Sequence, residues 1–171
     1  MLRKIDSVSI IVPTFNEAEN ISDLLDALLA LPGDYSTEVV VVDDNSPDGT
    51  SSIVEKYVAG HAMRPGRTVR LHTRVGERGL SSAVLAGVAD SSGKVIVVMD
   101  ADFSHPPDLI PKMVDILRDD QYNLVVASRH LEGGGTRGWS LGRKVTSAFT
   151  RANPTSFPLI LSSCKKSFSC Q

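Results

Sequence analysis

Two carboxylates stand one residue apart at Asp100 and Asp102, directly after the apolar run at residues 95–99. Carboxylates held this close repel each other, and a shared proton or a divalent cation relieves the repulsion. After a buried strand, such a cation would face the crevice where open α/β sheets bind their ligands. A solvated loop is the alternative for so short a motif. The apolar run before it, and a second acidic cluster elsewhere, favour a site for a metal and a diphosphate.

The second acidic cluster lies in residues 43–50, after a predicted strand at residues 38–42, and holds three carboxylates in six residues. Asp48 or Thr50 can cap the helix that is expected to follow. One of the adjacent Asp43 and Asp44 is then left to point at the crevice. A carboxylate there could accept paired hydrogen bonds from a base or a ribose.

A proline-containing loop, residues 13–17, follows the first predicted strand. Pro13 ends the strand pairing because it has no amide hydrogen, and Asn16 or Glu17 either faces a ligand or caps the next helix. The loop lacks the G-x-G-x-x-G pattern of dinucleotide-binding folds, and the sequence contains no P-loop pattern G-x-x-x-x-G-K-[ST]. Ligand phosphates would therefore depend on a cation and on basic side chains.

A further glycine-led segment, residues 79–82, opens a predicted helix. Backbone amides at a helix N-terminus attract phosphate, whereas capping by Ser81 or Ser82 is the structural alternative. Arg74 and Arg78 flank this loop and could steer an anionic ligand toward it.

Short β-branched runs alternate with longer stretches whose apolar residues recur at helical spacing. The predicted strands are residues 8–12, 38–42, 69–72, 95–99 and 123–127, and the predicted helices are residues 18–31, 49–59, 79–91 and 106–118. Right-handed crossovers between strands apolar on both faces predict an α/β fold, a mostly parallel sheet with helices on both faces. The polar loops would then meet at the edge where the parallel strands end.

The 171 residues suffice for one domain with a sizeable core. The net charge of −2 gives no reason to expect nucleic acid as a partner. That average hides a split, since residues 1–132 carry −8 and the last 39 residues carry +6. No apolar stretch approaches the roughly 18 to 20 residues of a membrane span, so no transmembrane segment is predicted. Cys164 and Cys170 define no disulfide framework and are expected to be free thiols.

Four segments together carry a family resemblance: VPTFNE at 12–17, VDDNSPDGT at 42–50, ERGLS at 77–81 and DADFSHPP at 100–107. In this order they resemble the family 2 glycosyltransferases of the GT-A fold, a Rossmann-like α/β fold. The SPDGT and DADFSHPP elements are most similar to those of the dolichyl-phosphate mannosyltransferases, also called polyprenol monophosphomannose synthases.

The resemblance implies an inverting, metal-dependent enzyme that transfers mannose from GDP-mannose to dolichyl (polyprenyl) phosphate for glycoprotein and GPI-anchor precursors. It implies Mg²⁺ or Mn²⁺ as cofactor, with Asp100 and Asp102 as metal ligands. Asp102 and Arg129 would be catalytic, and Arg143 would bind the acceptor phosphate. The residues implied for the nucleotide sugar are Pro13, Phe15, Glu17, Val42, Asp44, Asp100, Ala101, Asp102 and Arg129.

Residues 1–144 are predicted to form the nucleotide-sugar-binding GT-A domain. Residues 145–171 hold none of the acceptor elements of the family and are predicted to be a divergent, disordered tail of a C-terminally truncated chain. Two alternatives stay open: a family 2 transferase that uses another nucleotide sugar such as UDP-glucose, and a non-catalytic fragment that at most binds nucleotide. The resemblance also implies a location at the cytosolic face of the endoplasmic reticulum membrane, with small membrane-protein subunits as possible partners.

Overall fold

The computed structural model describes residues 2–127 and 159–163. Strands and helices alternate through the first of these segments, and one strand comes from the second. The strands are β1 (Ser7–Thr14), β2 (Ser36–Asp43), β3 (Arg67–Thr73), β4 (Val95–Val98), β5 (Leu124–Ala127) and β6 (Leu159–Ser163). The helices are α1 (Ile21–Ala30), α2 (Thr50–Gly60), α3 (Leu80–Asp90) and α4 (Leu109–Leu117). The predicted α/β alternation is therefore confirmed, with element ends shifted by a few residues.

The six strands form one sheet in the order β3-β2-β1-β4-β6-β5. Strands β3, β2, β1 and β4 are parallel, as predicted. Strand β6 runs antiparallel between β4 and β5, which the sequence pattern did not indicate. Five residues of the segment predicted to be a disordered tail thus form a strand, because the edge of β4 offers unpaired backbone groups to a short apolar segment. The predicted domain boundary at residue 144 lies outside the described residues and stays a prediction.

Helices cover both faces of the sheet, but unequally. Strand residues alternate between the two faces, so Ile10 and Val12 of β1 enter a large core with α1, α2 and α4. Ile11 enters a smaller core on the opposite face, against Ala83 of α3. Gly87 of α3 allows that helix to lie close to the sheet, since a Cβ there would be 2.4 Å from Cγ2 of Ile11. Among the described residues, no helix is long and apolar enough to span a membrane.

Because β1, β2, β3 and β4 are parallel, their C-terminal ends lie together at one edge of the sheet. Strand β1 lies between β2 and β4, so its loop separates the two acidic loops that follow those strands. The amide of Met99 donates to the carbonyl of Ile11 at 3.1 Å and holds the start of the β4 loop against β1. This edge is where ligands bind in open α/β sheets.

Candidate functional site

A cavity of about 280 Å³ opens at this edge of the sheet. Its walls come from the loops after β1, β2 and β3 and from the start of α3. The lining residues are Pro13, Thr14, Phe15, Asp44, Arg78, Gly79, Leu80 and Ala83. Small-molecule pockets usually measure about 300 to 1,000 Å³, so this cavity lies at the lower limit of that range and can hold a small ligand or part of a larger one.

The β1 loop is held against the β2 loop by backbone hydrogen bonds. Three successive amides donate to side chains: Asn16 N to Ser46 Oγ at 2.9 Å, Glu17 N to Thr50 Oγ1 at 3.1 Å and Ala18 N to Asp48 Oδ2 at 3.0 Å. Asn16 has a φ of 61° and marks the turn between β1 and α1, whereas α1 begins only at Ile21. Asn16 therefore forms a turn and does not cap α1.

Asp48 stabilises the start of α2. Its Oδ1 accepts hydrogen bonds from the Thr50 amide at 3.0 Å and from the Thr50 hydroxyl at 2.6 Å. The hydroxyl bond is the main reason that the pKa of the Asp48 carboxyl lies below its usual value. Gly49 precedes the helix with a φ of 89°, a conformation that side chains disfavour. Of the two predicted capping residues, Asp48 is the one that accepts a helix amide.

Asp43 and Asp44 have different partners, although they are adjacent. Asp43 is fully buried and accepts hydrogen bonds from the Thr14 hydroxyl at 3.0 Å, the Ser46 amide at 2.9 Å and the Ser51 hydroxyl at 2.6 Å. Asp43 thereby joins the β1 loop, the β2 loop and α2. Asp44 is the member of the pair that lines the cavity, as the sequence predicted for one of the two.

The carboxylate of Asp44 is bound by the loop after β3. Oδ1 accepts from Nε of Arg74 at 2.7 Å, and Oδ2 accepts from the amide of Gly79 at 3.0 Å. The side chains of Arg74 and Asp44 are 3% and 9% exposed, so this ion pair is shielded from water. The N-terminal amide of α3 therefore faces a carboxylate of the protein itself, which satisfies the preference of a helix N-terminus for an anion.

Phe15 and Arg78 form the outer wall of the cavity. The guanidinium carbon of Arg78 lies 4.4 Å from the centroid of the Phe15 ring, within the range of a cation–π contact. Phe15 is 41% exposed, so a ligand can reach part of its side chain. The hydroxyl of Ser82 donates to the carbonyl of Gly79 at 2.9 Å and closes the start of α3. Neither Ser81 nor Ser82 makes the predicted side-chain cap on an amide of this helix.

The β4 loop carries the two carboxylates that the sequence singled out. Asp102 Oδ1 accepts the amide of Ser104 at 2.9 Å and also the hydroxyl of Ser104. Asp100 lies with Oδ2 3.7 Å from Nδ1 of His105, and its side chain is 50% exposed. Phe103, directly after Asp102, has a φ of 57°, which turns the chain sharply.

These two carboxylates provide hard oxygen donors of the kind that Mg²⁺ and Mn²⁺ prefer. The described residues contain no group of three or more His, Cys, Asp or Glu side chains that could hold a metal. A cation bound there would complete its coordination with water and with the phosphates of a ligand, as Mg²⁺ commonly does. The donor set therefore fits a metal that binds together with a diphosphate.

The predicted site residues divide into five groups. Pro13, Phe15 and Asp44 line the cavity. Val42 is fully buried beneath it in the small core with Ala83 and is not among the lining residues. The carboxylate of Glu17 accepts a hydrogen bond from Nδ2 of Asn20 at 2.9 Å. Asp100, Ala101 and Asp102 occupy the next loop along the edge, and Arg129 and Arg143 lie outside the described residues.

Some lining residues escaped prediction. Thr14, Leu80 and Ala83 also line the cavity. Residues of these types are common in strands and helices, so nothing in the sequence marked them as ligand-binding. Arg74 was expected to steer an anionic ligand but is 5% exposed and paired inside the protein. The arginine that faces the cavity is Arg78.

The parallel sheet, its helices and the acidic loops at one edge are those of an α/β protein of the GT-A type. The chain belongs to glycosyl transferase family 2, whose family model matches residues 9–168. Among curated proteins, the chain is similar to the dolichol-phosphate mannosyltransferase of Pyrococcus furiosus, with 42% identity over 141 residues. It is 40% identical over 147 residues to the dolichol-phosphate mannosyltransferase of Saccharomyces cerevisiae. These alignments cover 82% and 84% of the chain but 38% and 52% of the relatives. The chain thus spans about half or less of their length.

Solved structures agree on the fold. A mannosyltransferase from Pyrobaculum calidifontis in complex with GDP-Man and Mn²⁺ matches with a TM-score of 0.62 and 32% identity, over 74% of this chain and 38% of that one. Glucosyl-3-phosphoglycerate synthase from Mycobacterium tuberculosis, in complex with Mn²⁺, UDP-glucose and phosphoglyceric acid, matches with a TM-score of 0.62 at 21% identity, over 92% of this chain and 57% of that one. The second likeness concerns the fold alone.

Proposed function

We propose that this chain carries the donor-binding half of a dolichyl-phosphate mannosyltransferase, which transfers mannose from GDP-mannose to dolichyl phosphate with inversion. The observation that carries the proposal is the cavity beside Asp44, next to a loop with two carboxylates, in a chain 40–42% identical to two such enzymes. The mannosyltransferase structure with GDP-Man and Mn²⁺ supports the choice of donor and of a divalent cation.

The donor is assigned to residues along the sheet edge. Asp44 reads the base in the cavity, and Pro13 and Phe15 form its wall. Glu17 and Val42 support this region from the β1 loop and from the core. Asp100, Ala101 and Asp102 face the ribose and diphosphate, and the two carboxylates hold the cation. When bound, the Mg²⁺ or Mn²⁺ ion neutralises the charge that develops on the departing diphosphate.

The acceptor chemistry needs no strong base. A phosphate monoester has a second pKa near 6 and is mostly dianionic at pH 7, so it is already a competent nucleophile. Arg129 is assigned to stabilise the diphosphate, and Arg143 is assigned to bind the acceptor phosphate. A lipid phosphate acceptor requires a membrane, and the family resemblance implies the cytosolic face of the endoplasmic reticulum membrane. Small membrane-protein subunits are the proposed partners there.

A second candidate is a chain that binds the donor without transferring the sugar. The alignments cover 38% and 52% of the two relatives, so the identity supports the function of the matched part and does not by itself support sugar transfer. A family 2 transferase for UDP-glucose is the third possibility. The ratio of the affinities for GDP and UDP distinguishes the mannosyltransferase from the UDP-glucose transferase. Product formation distinguishes both enzymes from a chain that only binds the donor.

The test combines binding and transfer on the same protein preparation. Binding of GDP and UDP is measured by calorimetry with Mn²⁺ and again with EDTA, and transfer is measured with radiolabelled GDP-mannose and a short polyprenyl phosphate. Asp102→Asn removes one ligand charge with little change in shape, and Glu55→Gln on the exposed face of α2 is the matched control. We expect Mn²⁺-dependent GDP binding in the wild type and in the control, weakened roughly tenfold or more in Asp102→Asn.

The outcomes separate the candidates. Mannosyl product that requires Asp102 establishes the transferase, whereas GDP binding without product establishes the donor-binding chain. Tighter binding of UDP than of GDP contradicts the assignment of GDP-mannose as the donor. Equal GDP affinity with and without Mn²⁺ contradicts the metal role of Asp100 and Asp102.

A further inference from the structure

Arg74 is buried beneath the nucleotide cavity, and all five of its N–H groups have acceptors within the protein. Two of them go to Asp44 Oδ1, from Nε at 2.7 Å and from Nη2 at 2.5 Å. The remaining acceptors are Glu77 Oε2 at 3.2 Å, Ser82 Oγ at 2.9 Å and the carbonyl of Gly79 at 3.2 Å. A ligand that enters the cavity therefore finds the donors of Arg74 already committed.

The partners of Arg74 belong to three segments, and Arg74 fixes the positions of these segments relative to one another. Asp44 belongs to the β2 loop, Glu77 and Gly79 belong to the β3 loop, and Ser82 lies in the first turn of α3. A planar guanidinium with fixed donor directions can hold all of them at once, which a flexible ammonium cannot. Arg74 thus couples the direction of the Asp44 carboxylate to the position of α3.

The same contacts limit what Asp44 can offer to a ligand. An ionised carboxylate has about four lone-pair positions. Arg74 fills two of them and the amide of Gly79 fills a third. About one acceptor position remains, and Asp44 lines the cavity. One acceptor suits a ring N–H donor of a base: guanine presents such a donor at N1, whereas adenine has an acceptor there.

We propose that Arg74 is a positioning residue for base recognition: it orients Asp44 so that its remaining lone pair selects a base with a ring N–H. This inference rests on the proposed function, since it takes Asp44 as the residue that reads the base. The two arginines of the β3 loop thus have different roles. Arg74 acts through Asp44, and Arg78, exposed beside Phe15, is the arginine open to direct ligand contact.

The experiment measures base selectivity, which a purely structural role would leave unchanged. Dissociation constants for GDP and ADP are determined with Mn²⁺ for the full chain, for Arg74→Gln and for Arg74→Lys. The two purine nucleotides have similar size, and both are measured on the same preparation, so that their affinity ratio is independent of the fraction of folded protein. Arg64→Gln is the matched control, because Arg64 is exposed and lies before β3, at the opposite end of that strand. Circular dichroism establishes that each variant is folded.

We expect the wild type and Arg64→Gln to prefer GDP over ADP, and Arg74→Gln to lose roughly tenfold to hundredfold of that preference. Arg74→Lys keeps the positive charge beside Asp44 but loses the planar guanidinium with its fixed donor directions. This variant is therefore expected to fold and to lose part of the preference for GDP. A folded variant at position 74 that keeps the wild-type ratio overturns the inference and leaves the proposed function intact. A wild type without preference for GDP overturns both.

Discussion

The adjacent acidic residues Asp43 and Asp44 have different roles, and their surroundings in the structure show which role each one has. Asp43 has no exposed surface and ties three segments together, whereas Asp44 lines the cavity. Residue type alone could not separate them, because both follow the same strand and both carry the same group. The buried donors around Asp43 make it part of the fold, and the cavity beside Asp44 makes it part of the site.

This difference predicts different effects on GDP binding for two isosteric substitutions. Asp43→Asn replaces a charged acceptor of several hydrogen bonds and should lower the free energy of unfolding by about 1.5–3 kcal/mol. It should leave the GDP dissociation constant of the folded protein near the wild-type value. Asp44→Asn should weaken GDP binding. Urea unfolding and calorimetry on both variants check the prediction, and a large loss of GDP affinity in folded Asp43→Asn would contradict it.

At the scale of elements, the face of the sheet covered by α3 depends on one small residue. A Cβ at Gly87 would lie 2.4 Å from Cγ2 of Ile11 and 2.9 Å from Cγ2 of Val42, closer than real contacts allow. Both neighbours are β-branched core residues with little rotamer freedom. The close approach matters for the site, because Leu80 and Ala83 at the start of α3 line the cavity.

Gly87→Ala should therefore destabilise the protein, although alanine is the better helix former. Overpacking costs about 1–3 kcal/mol, and the propensity gain of about 1 kcal/mol offsets only part of it. Gly60→Ala in the last turn of α2 is the matched control, since a Cβ there meets no atom within 4 Å. Chemical denaturation should show a lower midpoint for Gly87→Ala alone. Equal midpoints in both variants would mean that α3 shifts without cost.

Across the whole molecule, one carboxylate connects the sheet to the turn before β4. Glu38 Oε2 accepts from the Ser9 hydroxyl at 2.6 Å and the Ser92 amide at 3.0 Å, and Oε1 accepts from Arg70 at 3.1 Å. Burial raises the pKa of Glu38, but these hydrogen bonds together outweigh burial and lower the pKa below its ordinary value of 4.5. The Glu38 side chain is 12% exposed and that of Arg70 is 48% exposed, so solvent screens the ion pair more than the hydrogen bond from Ser9.

A depressed carboxyl pKa stabilises the fold above the unfolded-state value and loses that contribution as the pH falls through the folded-state value. Glu38→Gln should therefore be less stable than the wild type at pH 7, by about 1–3 kcal/mol. The difference should shrink as the pH falls below 4.5. Urea titrations at neutral and acidic pH measure it, with Glu55→Gln as the exposed control. A difference that stays constant with pH would assign the loss to packing instead.

Much of the fold and part of the site were predictable from the sequence. The strand–helix alternation was visible because apolar residues repeat with periods that backbone geometry imposes, and the acidic loops were visible because each follows a strand. Strand β6 was not predictable from local pattern, since its register depends on the unpaired edge of β4, distant in the chain.

The sequence by itself determined the family, the acidic loops and the candidate carboxylates Asp100 and Asp102, because these depend on local order and residue type, and the family resemblance singled out Asp44. Only the tertiary structure decided that Asp43 supports the fold, that Arg74 is committed to Asp44 and that Arg78 faces the cavity. The physical reason is that burial and hydrogen-bond partners arise between segments about 30 residues apart, which the sequence order of either segment does not record.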